Sequence, residues 1–256
     1  MMQPAAPRWR LLSVVHAVAL AAVVALAGVP GRGGSRPVLA AGHASPAPDA
    51  VARQPAKKTL GIVIYPDFEV LDVYGPLEMW AYVPEFRVVI IAEQAGPVRS
   101  YQGASTVAEY SFANAPPLDI LMVPGGFGTR PQLVNPAMLA YIRDQHARTE
   151  LTTSVCTGSW LLARAGILTG LRATTNKTFY SEGIAQDSSV LWQPKARWVE
   201  DGKVVTSSGV SAGTDMAIGV VAKLFGKDRA RRLARSLEYI WNEDPENDPF
   251  AVAALG

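Results

Sequence analysis

Cys156 is the only cysteine in this 256-residue sequence, and its position suggests covalent chemistry. It stands where the apolar, strand-like run Leu151 to Val155 passes directly into the helix-like run Thr157 to Ala163. A thiol at such a junction meets the unpaired N–H groups and positive dipole end of the helix, which favour the thiolate. Strand, sharp turn and helix form the layout of a nucleophile elbow, with Gly158 giving room two residues later. The plain alternative is a small buried apolar residue; the junction favours a reactive role.

A reactive thiol needs a proton partner, and the sequence holds three histidines, at 16, 43 and 146. His16 and His43 lie in the N-terminal segments described below. His146 lies near the end of the helix preceding the Cys156 strand, so a five-residue strand separates it from the thiol by roughly 16 Å. It reads as a surface residue, and a Cys-His dyad would need a histidine from another subunit. A carboxylate remains. Asp72 sits in the apolar stretch Leu71-Asp72-Val73-Tyr74-Gly75-Pro76, where its plain role is a helix N-cap. Held beside a thiol in an apolar cleft, it should have a raised pKa and could shuttle a proton near neutral pH. Glu69 and Glu78 are alternatives that read as facing solvent or a subunit boundary. The N–H groups of Gly126 and Thr157 could stabilise a developing anion; the plain reading of Gly125-Gly126 is a tight turn in the loop Pro124 to Gly128.

These residues have to be placed by strands and helices. Leu60 to Tyr65, Phe86 to Ala92 and Ile120 to Val123 read as buried strands, and Arg172 to Thr175 as another. Glu69 to Tyr82, Pro136 to Ala147 and Thr157 to Ala165 read as helices. Their alternation implies a three-layer α/β sandwich with a mostly parallel central sheet. Trp198 to Thr206 reads as a hairpin turning at Asp201-Gly202, and Ala212 to Phe225 as a buried helix. Residues 228 to 241 read as an amphipathic helix with Leu233, Leu237 and Ile240 on one side and a solvated face carrying Arg231, Arg232 and Arg235. Ligands bind at strand carboxyl ends in such sheets, where Cys156, Gly125-Gly126, Asn176 and the segment after Tyr65 all fall.

The amino-terminal segments are different in kind. Arg8 and Arg10 precede the almost wholly apolar stretch Leu11 to Val29, with small-residue cleavage patterns at Ala25-Leu26-Ala27 and Val38-Leu39-Ala40. This is the layout of a signal peptide over 1–27, with a later cut at 40 as the variant, and it implies a secreted or periplasmic protein. Left uncleaved, the stretch would anchor the chain to a membrane. Residues 28–58 read as a disordered tether, leaving 59–256 as one folded domain. The whole chain carries 24 basic and 22 acidic residues. Removing 1–27 deletes two arginines and no acidic residue, so 22 face 22, and neither nucleic acid nor an anionic membrane surface is suggested. One cysteine and scattered histidines cannot build a zinc site, the glycine loop lacks dinucleotide spacing, and no cofactor is expected.

With these motifs in place the chain resembles the ThiJ/PfpI superfamily, over about Thr59 to Phe250. The resemblance rests on Leu-Asp-Val-Tyr-Gly-Pro (71–76), Val-Pro-Gly-Gly-Phe-Gly (123–128), Val-Cys-Thr-Gly-Ser (155–159), Ala-Thr-Thr-Asn (173–176) and Ser-Ser-Gly-Val-Ser-Ala-Gly (207–213). It implies a flavodoxin-like, class I glutamine amidotransferase-like fold. Within the superfamily the chain looks most like the isonitrile hydratases, which implies catalysis by Asp72, Cys156 and Thr157 on a small-molecule substrate, with Gly125, Gly126 and Asn176 around it. A homodimer is also implied. Other branches carry a histidine where Asn176 stands; asparagine cannot act as a base, which disfavours deglycase, glyoxalase and peptidase readings. A non-enzymatic ligand-binding or redox-sensing role through an oxidisable Cys156 is the alternative, and a regulator's sensory domain is a further one, disfavoured by the export signal. Phe127, Trp160 and Tyr74 are the expected shapers of the pocket.

Overall fold

The computed structural model describes residues 57–251, so the expected signal peptide, and all of the tether but its last two residues, lie outside the described residues. Strand β1 (Lys58–Val63) leads into helix α1 (Val70–Ala81) and strand β2 (Phe86–Ala92). A hairpin of β3 (Gly96–Arg99) and β4 (Ser105–Ala108) and the short β5 (Tyr110–Ser111) precede β6 (Ile120–Val123). Helices α2 (Thr129–Gln132) and α3 (Pro136–Arg148) connect to β7 (Leu151–Val155), which turns into α4 (Gly158–Arg164). Next come β8 (Arg172–Ala173), α5 (Tyr180–Ile184) and β9 (Leu191–Trp192). The hairpin of β10 (Trp198–Asp201) and β11 (Val204–Ser207) is followed by α6 (Ala212–Phe225) and α7 (Lys227–Ser236).

Seven strands form one sheet in the order β10-β11-β7-β6-β1-β2-β5, parallel throughout except for the β10–β11 pair. Strands covered on both faces must be apolar along their whole length, and Leu60, Ile62, Val63 and all of Ile120 to Val123 are fully buried. All of β7 is buried too, although its central residues are the hydroxyl-bearing Thr152, Thr153 and Ser154. The Thr153 hydroxyl donates to the Leu121 carbonyl at 3.1 Å, which offsets the cost of burying it.

The chain leaves β1 for β2 on one side and later returns through β6 on the other. Right-handed crossovers in opposite directions put the intervening helices on opposite faces. α1 packs on α6, and α3 on α4. The reversal between β1 and β6 opens a crevice at the carboxyl ends of the strands, and β7, which carries the cysteine, pairs with β6 in register Val123 to Ser154.

Two expected elements differ. The strand expected over Arg172 to Thr175 ends at Ala173 and pairs with β9, outside the central sheet. The cause is side-chain bonding: Thr174 N–H donates to Thr206 Oγ1 at 2.8 Å, not to a strand backbone. Asn176 therefore reaches the crevice from a satellite two-stranded sheet. The helix expected over 228–241 stops at Ser236. Beyond it Glu238 takes φ 53°, and Tyr239 and Trp241 turn inward to bond the side chain and backbone of Asp215 at 3.0 and 3.1 Å. Ile240 is 95% exposed, so it does not belong to the apolar side of α7.

Candidate active site

The turn between β7 and α4 places Cys156 at φ 58°, the left-handed region that costs a non-glycine residue roughly 1–2 kcal/mol. The surroundings hold it there. Its N–H lies 3.2 and 3.3 Å from the carbonyls of Ser207 and Ser208, and its carbonyl accepts from Ser159 Oγ at 3.0 Å and Thr175 Oγ1 at 3.2 Å. Gly158 is required by the close approach of α4 to β6, because a Cβ there would lie 2.2 Å from the Val123 carbonyl oxygen. The result is the expected elbow.

Asp72 is the third residue of α1, and the N-cap position belongs to Glu69. Fully buried, Asp72 accepts the Gly125 N–H on Oδ2 at 2.8 Å, while its Oδ1 has no hydrogen-bond partner among the described residues. Burial, and secondarily the charge of Glu69, hold its pKa well above the usual carboxylate range, against the Gly125 N–H and a bond from the Cys156 thiol. The thiol is also pushed well up, first by burial and next by the Asp72 charge, against the Thr157 N–H and the Asn176 amide. This corrects the expectation of a low-pKa thiol. The end of a seven-residue helix does not outweigh removal from water beside an acidic group. Two adjacent acidic groups in one buried site do not both ionise readily, so they titrate as a coupled pair.

Asn176 fixes the sulfur from the other side. Its Oδ1 accepts Phe179 N–H at 3.0 Å, which turns Nδ2 toward Sγ at 3.1 Å. Thr157 is held by a chain of buried hydroxyls whose direction follows from counting hydrogens. Tyr65 spends its one hydroxyl hydrogen on the Pro124 carbonyl at 2.6 Å. Thr129 must then donate to Tyr65 at 2.9 Å, and Thr157 to Thr129 at 2.8 Å. Thr157 Oγ1 in turn accepts Gly126 N–H at 3.0 Å. The N–H expected to stabilise an anion at Gly126 is therefore committed to Thr157 and that of Gly125 to Asp72, while that of Thr157 favours the thiolate of Cys156.

Cys156, Thr157, Asn176 and Gly126 line a cavity of about 200 Å³ whose other walls include Glu69, Phe127, Arg130 and Phe179. Of the expected pocket-shaping side chains only Phe127 lines it. Tyr74 is 41% exposed and bonded to Thr106, and Trp160 is buried with its Nε1 on Thr175. His146 lies at the amino end of β7, as expected, but is half-buried there and bonded to Thr152 instead of free at the surface. Glu69 was read as facing solvent but lines the cavity, with both carboxylate oxygens 2.7 Å from the Gln102 amide nitrogen. Its spacing of three from Asp72 was the available signal, since such residues share a helix face. Arg130, Thr129 and Tyr65 had none: only the return of the loop after β6 brings them in. Among the described residues no group of three or more His, Cys, Asp or Glu side chains could hold a metal ion.

The model of the DJ-1/PfpI family matches residues 58–223. The chain belongs to the DJ-1/PfpI family. All six residues Asp72, Gly125, Gly126, Cys156, Thr157 and Asn176 fall inside this match. Isonitrile hydratase from Pseudomonas putida is 34% identical over 198 residues, covering 75% of this chain and 86% of that protein. The HTH-type transcriptional regulator CdhR from Pseudomonas aeruginosa is 25% identical over 173 residues, 66% of this chain and 51% of the regulator. Among solved structures, a ThiJ/PfpI family protein from Pseudomonas syringae aligns with a TM-score of 0.65 at 30% identity, over 79% of this chain and 84% of that one. The DJ-1/PfpI fold agrees with the α/β architecture and the mostly parallel sheet expected of the sequence.

Proposed function

We propose that this DJ-1/PfpI protein is a cysteine-dependent hydro-lyase that adds water to an isonitrile. The observation that carries the reading is the assembly of Asp72, Cys156 and Thr157 in one buried cluster at the β1–β6 crevice, in a chain similar to an isonitrile hydratase. Cys156 sulfur attacks the terminal isonitrile carbon and forms the C–S bond, and the proton held by the Asp72–Cys156 pair goes to that carbon. The product is a thioimidate, R–N=CH–S–Cys156. Asn176 holds the sulfur and favours its negative charge through the Nδ2–H contact. Thr157 gives its own hydrogen to Thr129, so its remaining lone pair is available to accept from the attacking water. Water adds to the thioimidate carbon, the C–S bond breaks, and R–NH–CHO leaves with the thiol restored.

Incubation of the purified protein with n-butyl isocyanide, with N-butylformamide followed by mass spectrometry, tests the reading. Formation that disappears in Cys156→Ala and falls sharply in Asp72→Asn is the expected result; turnover that survives Cys156→Ala refutes it. We further propose export through residues 1–27 and assembly as a homodimer. N-terminal sequencing of the mature protein and sedimentation equilibrium are the respective checks.

A further inference from the structure

We propose that the isonitrile this site accepts carries a carboxylate, bound by Arg130; the inference rests on the hydratase reading above and names its substrate class. Arg130 lines the same cavity of about 200 Å³ as Cys156, a space equal to roughly six or seven waters at about 30 Å³ each. A group bound at Arg130 and a carbon reacting at Cys156 therefore belong to one small molecule.

The guanidinium is placed before any ligand arrives. Its carbon lies 5.6, 5.5 and 5.1 Å from the ring centres of Phe127, Trp160 and Phe179. Phe127 is itself packed on Tyr101 at 4.4 Å and on Phe179 at 6.0 Å. Rings on a guanidinium attract its charge and restrict its rotamers, so little freedom is lost when an anion binds. Arg130 makes a single side-chain hydrogen bond, from one terminal nitrogen to Glu182 at 2.8 Å. Its remaining N–H groups have no partner among the described residues, and a planar carboxylate matches their geometry.

Glu69 decides the orientation. Its carboxylate lines the cavity, and its charge acts on the Cys156 thiol, so a ligand carboxylate is disfavoured near the sulfur. Gln102 occupies both Glu69 oxygens, which lessens their call for a ligand cation. The uncharged isonitrile end goes to Cys156 and the anionic end to Arg130.

The test compares isocyanoacetate with isocyanoacetamide, which differ in charge at nearly constant size. The wild-type protein should show a kcat/KM at least ~10-fold higher for the anion, the order expected of charge-assisted hydrogen bonds. Arg130→Gln should bring the ratio to unity or below, because the Glu69 charge stays in the cavity, and Arg130→Lys should keep part of the preference, as loss or retention of one charge at a partly exposed site implies. Glu69→Gln should raise the ratio. A wild-type ratio near unity, or one unchanged in Arg130→Gln, overturns the inference. If neither compound yields a formamide while n-butyl isocyanide does, the inference is overturned; if none of the three does, the hydratase reading fails, and calorimetric binding of N-formylglycine against N-formylglycinamide decides whether Arg130 selects a carboxylate. Tighter binding of the anion, lost in Arg130→Gln, sustains it; equal or undetectable binding overturns it. Unchanged circular dichroism and Cys156 alkylation in Arg130→Gln establish that the variant is folded.

Discussion

Replacing Thr129 by valine and Tyr65 by phenylalanine, singly and together, tests the hydroxyl chain behind Thr157. Neither change opens a sizeable cavity, and both positions are buried, Thr129 fully and Tyr65 at 2% exposure. Three bonds are at stake: Tyr65 to Pro124 at 2.6 Å, Thr129 to Tyr65 at 2.9 Å and Thr157 to Thr129 at 2.8 Å. Tyr65→Phe removes the first two and Thr129→Val the last two, at about 1 kcal/mol net each. Each single variant should thus lose about 2 kcal/mol, or roughly 4–8 °C in Tm for a domain of this size. The double variant loses the same three bonds and no more, so its cost should be about 3 kcal/mol, a coupling of about 1 kcal/mol. In Thr129→Val the Thr157 hydroxyl still accepts the Gly126 N–H at 3.0 Å, but as a donor it keeps only the 3.3 Å contact with the Gly126 carbonyl. Its orientation loosens, and hydratase kcat should fall about tenfold, less than the ~10²–10⁴ that outright loss of a proton-handling group costs. Thr129→Ser restores the oxygen and should recover most of both losses. Urea denaturation supplies the energies. Effects that add to within ~0.3 kcal/mol, the tolerance for independent sites, or a Thr129→Val as stable as wild type, would refute the chain and its direction.

Other expectations concern the same crevice. Asp72→Asn should lower hydratase turnover by about 10²–10⁴ by removing the proton-carrying carboxyl. The raised Asp72 pKa means its contribution to stability is present below the unfolded carboxylate value and is lost as pH rises through the folded value. Asp72→Asn should accordingly lack that decline, and urea midpoints measured from acid to neutral pH give the comparison. Gly209→Ala would put a Cβ 2.6 Å from Sγ and 2.5 Å from Asn176 Nδ2. It should slow iodoacetamide labelling at least ~10-fold and cost about 1–3 kcal/mol by overpacking; labelling at the wild-type rate means the sulfur is not confined as described. Burial lowers the Lys177 pKa to about 8, so the cost of its buried charge is present below about pH 8 and is relieved as pH rises toward the ordinary lysine value. The stability gap between wild type and Lys177→Met should therefore widen in favour of wild type over that interval, and parallel pH profiles would contradict the assignment.

How much of this was legible follows from how local each feature is. The elbow was legible because a strand signal meets a helix signal at one residue, and sterics then force Cys156 to a positive φ. β1, β2, β6 and β7 were legible because strands buried on both faces must be apolar or hydroxyl-lined throughout their length. Asp72 stood out as a charge in an apolar stretch, but its partner at Gly125 lies 53 residues away. The short reach of β8 was not legible, because the bond that ends it is accepted by Thr206, 32 residues on from its donor Thr174. The inward turn that ends α7 depends in the same way on Asp215, 24 residues before Tyr239.

By itself the sequence determined the local geometry of this protein: the nucleophile at a strand-to-helix turn, the alternation that yields a parallel sheet, and the carboxyl next to the first strand. Hydrophobic period and turn chemistry act over a few residues, so they are written into neighbouring positions. The electrostatics were decided only by the tertiary structure. Whether a helix end lowers the thiol's pKa or burial beside Asp72 raises it depends on how much water reaches the sulfur and which charges surround it. So do the presence of Glu69 and Arg130 in the same cavity as Cys156 and the one-way hydroxyl chain behind Thr157. Solvation and charge coupling are properties of distances in space, and the crevice between β1 and β6 sets those distances by joining segments the chain keeps far apart.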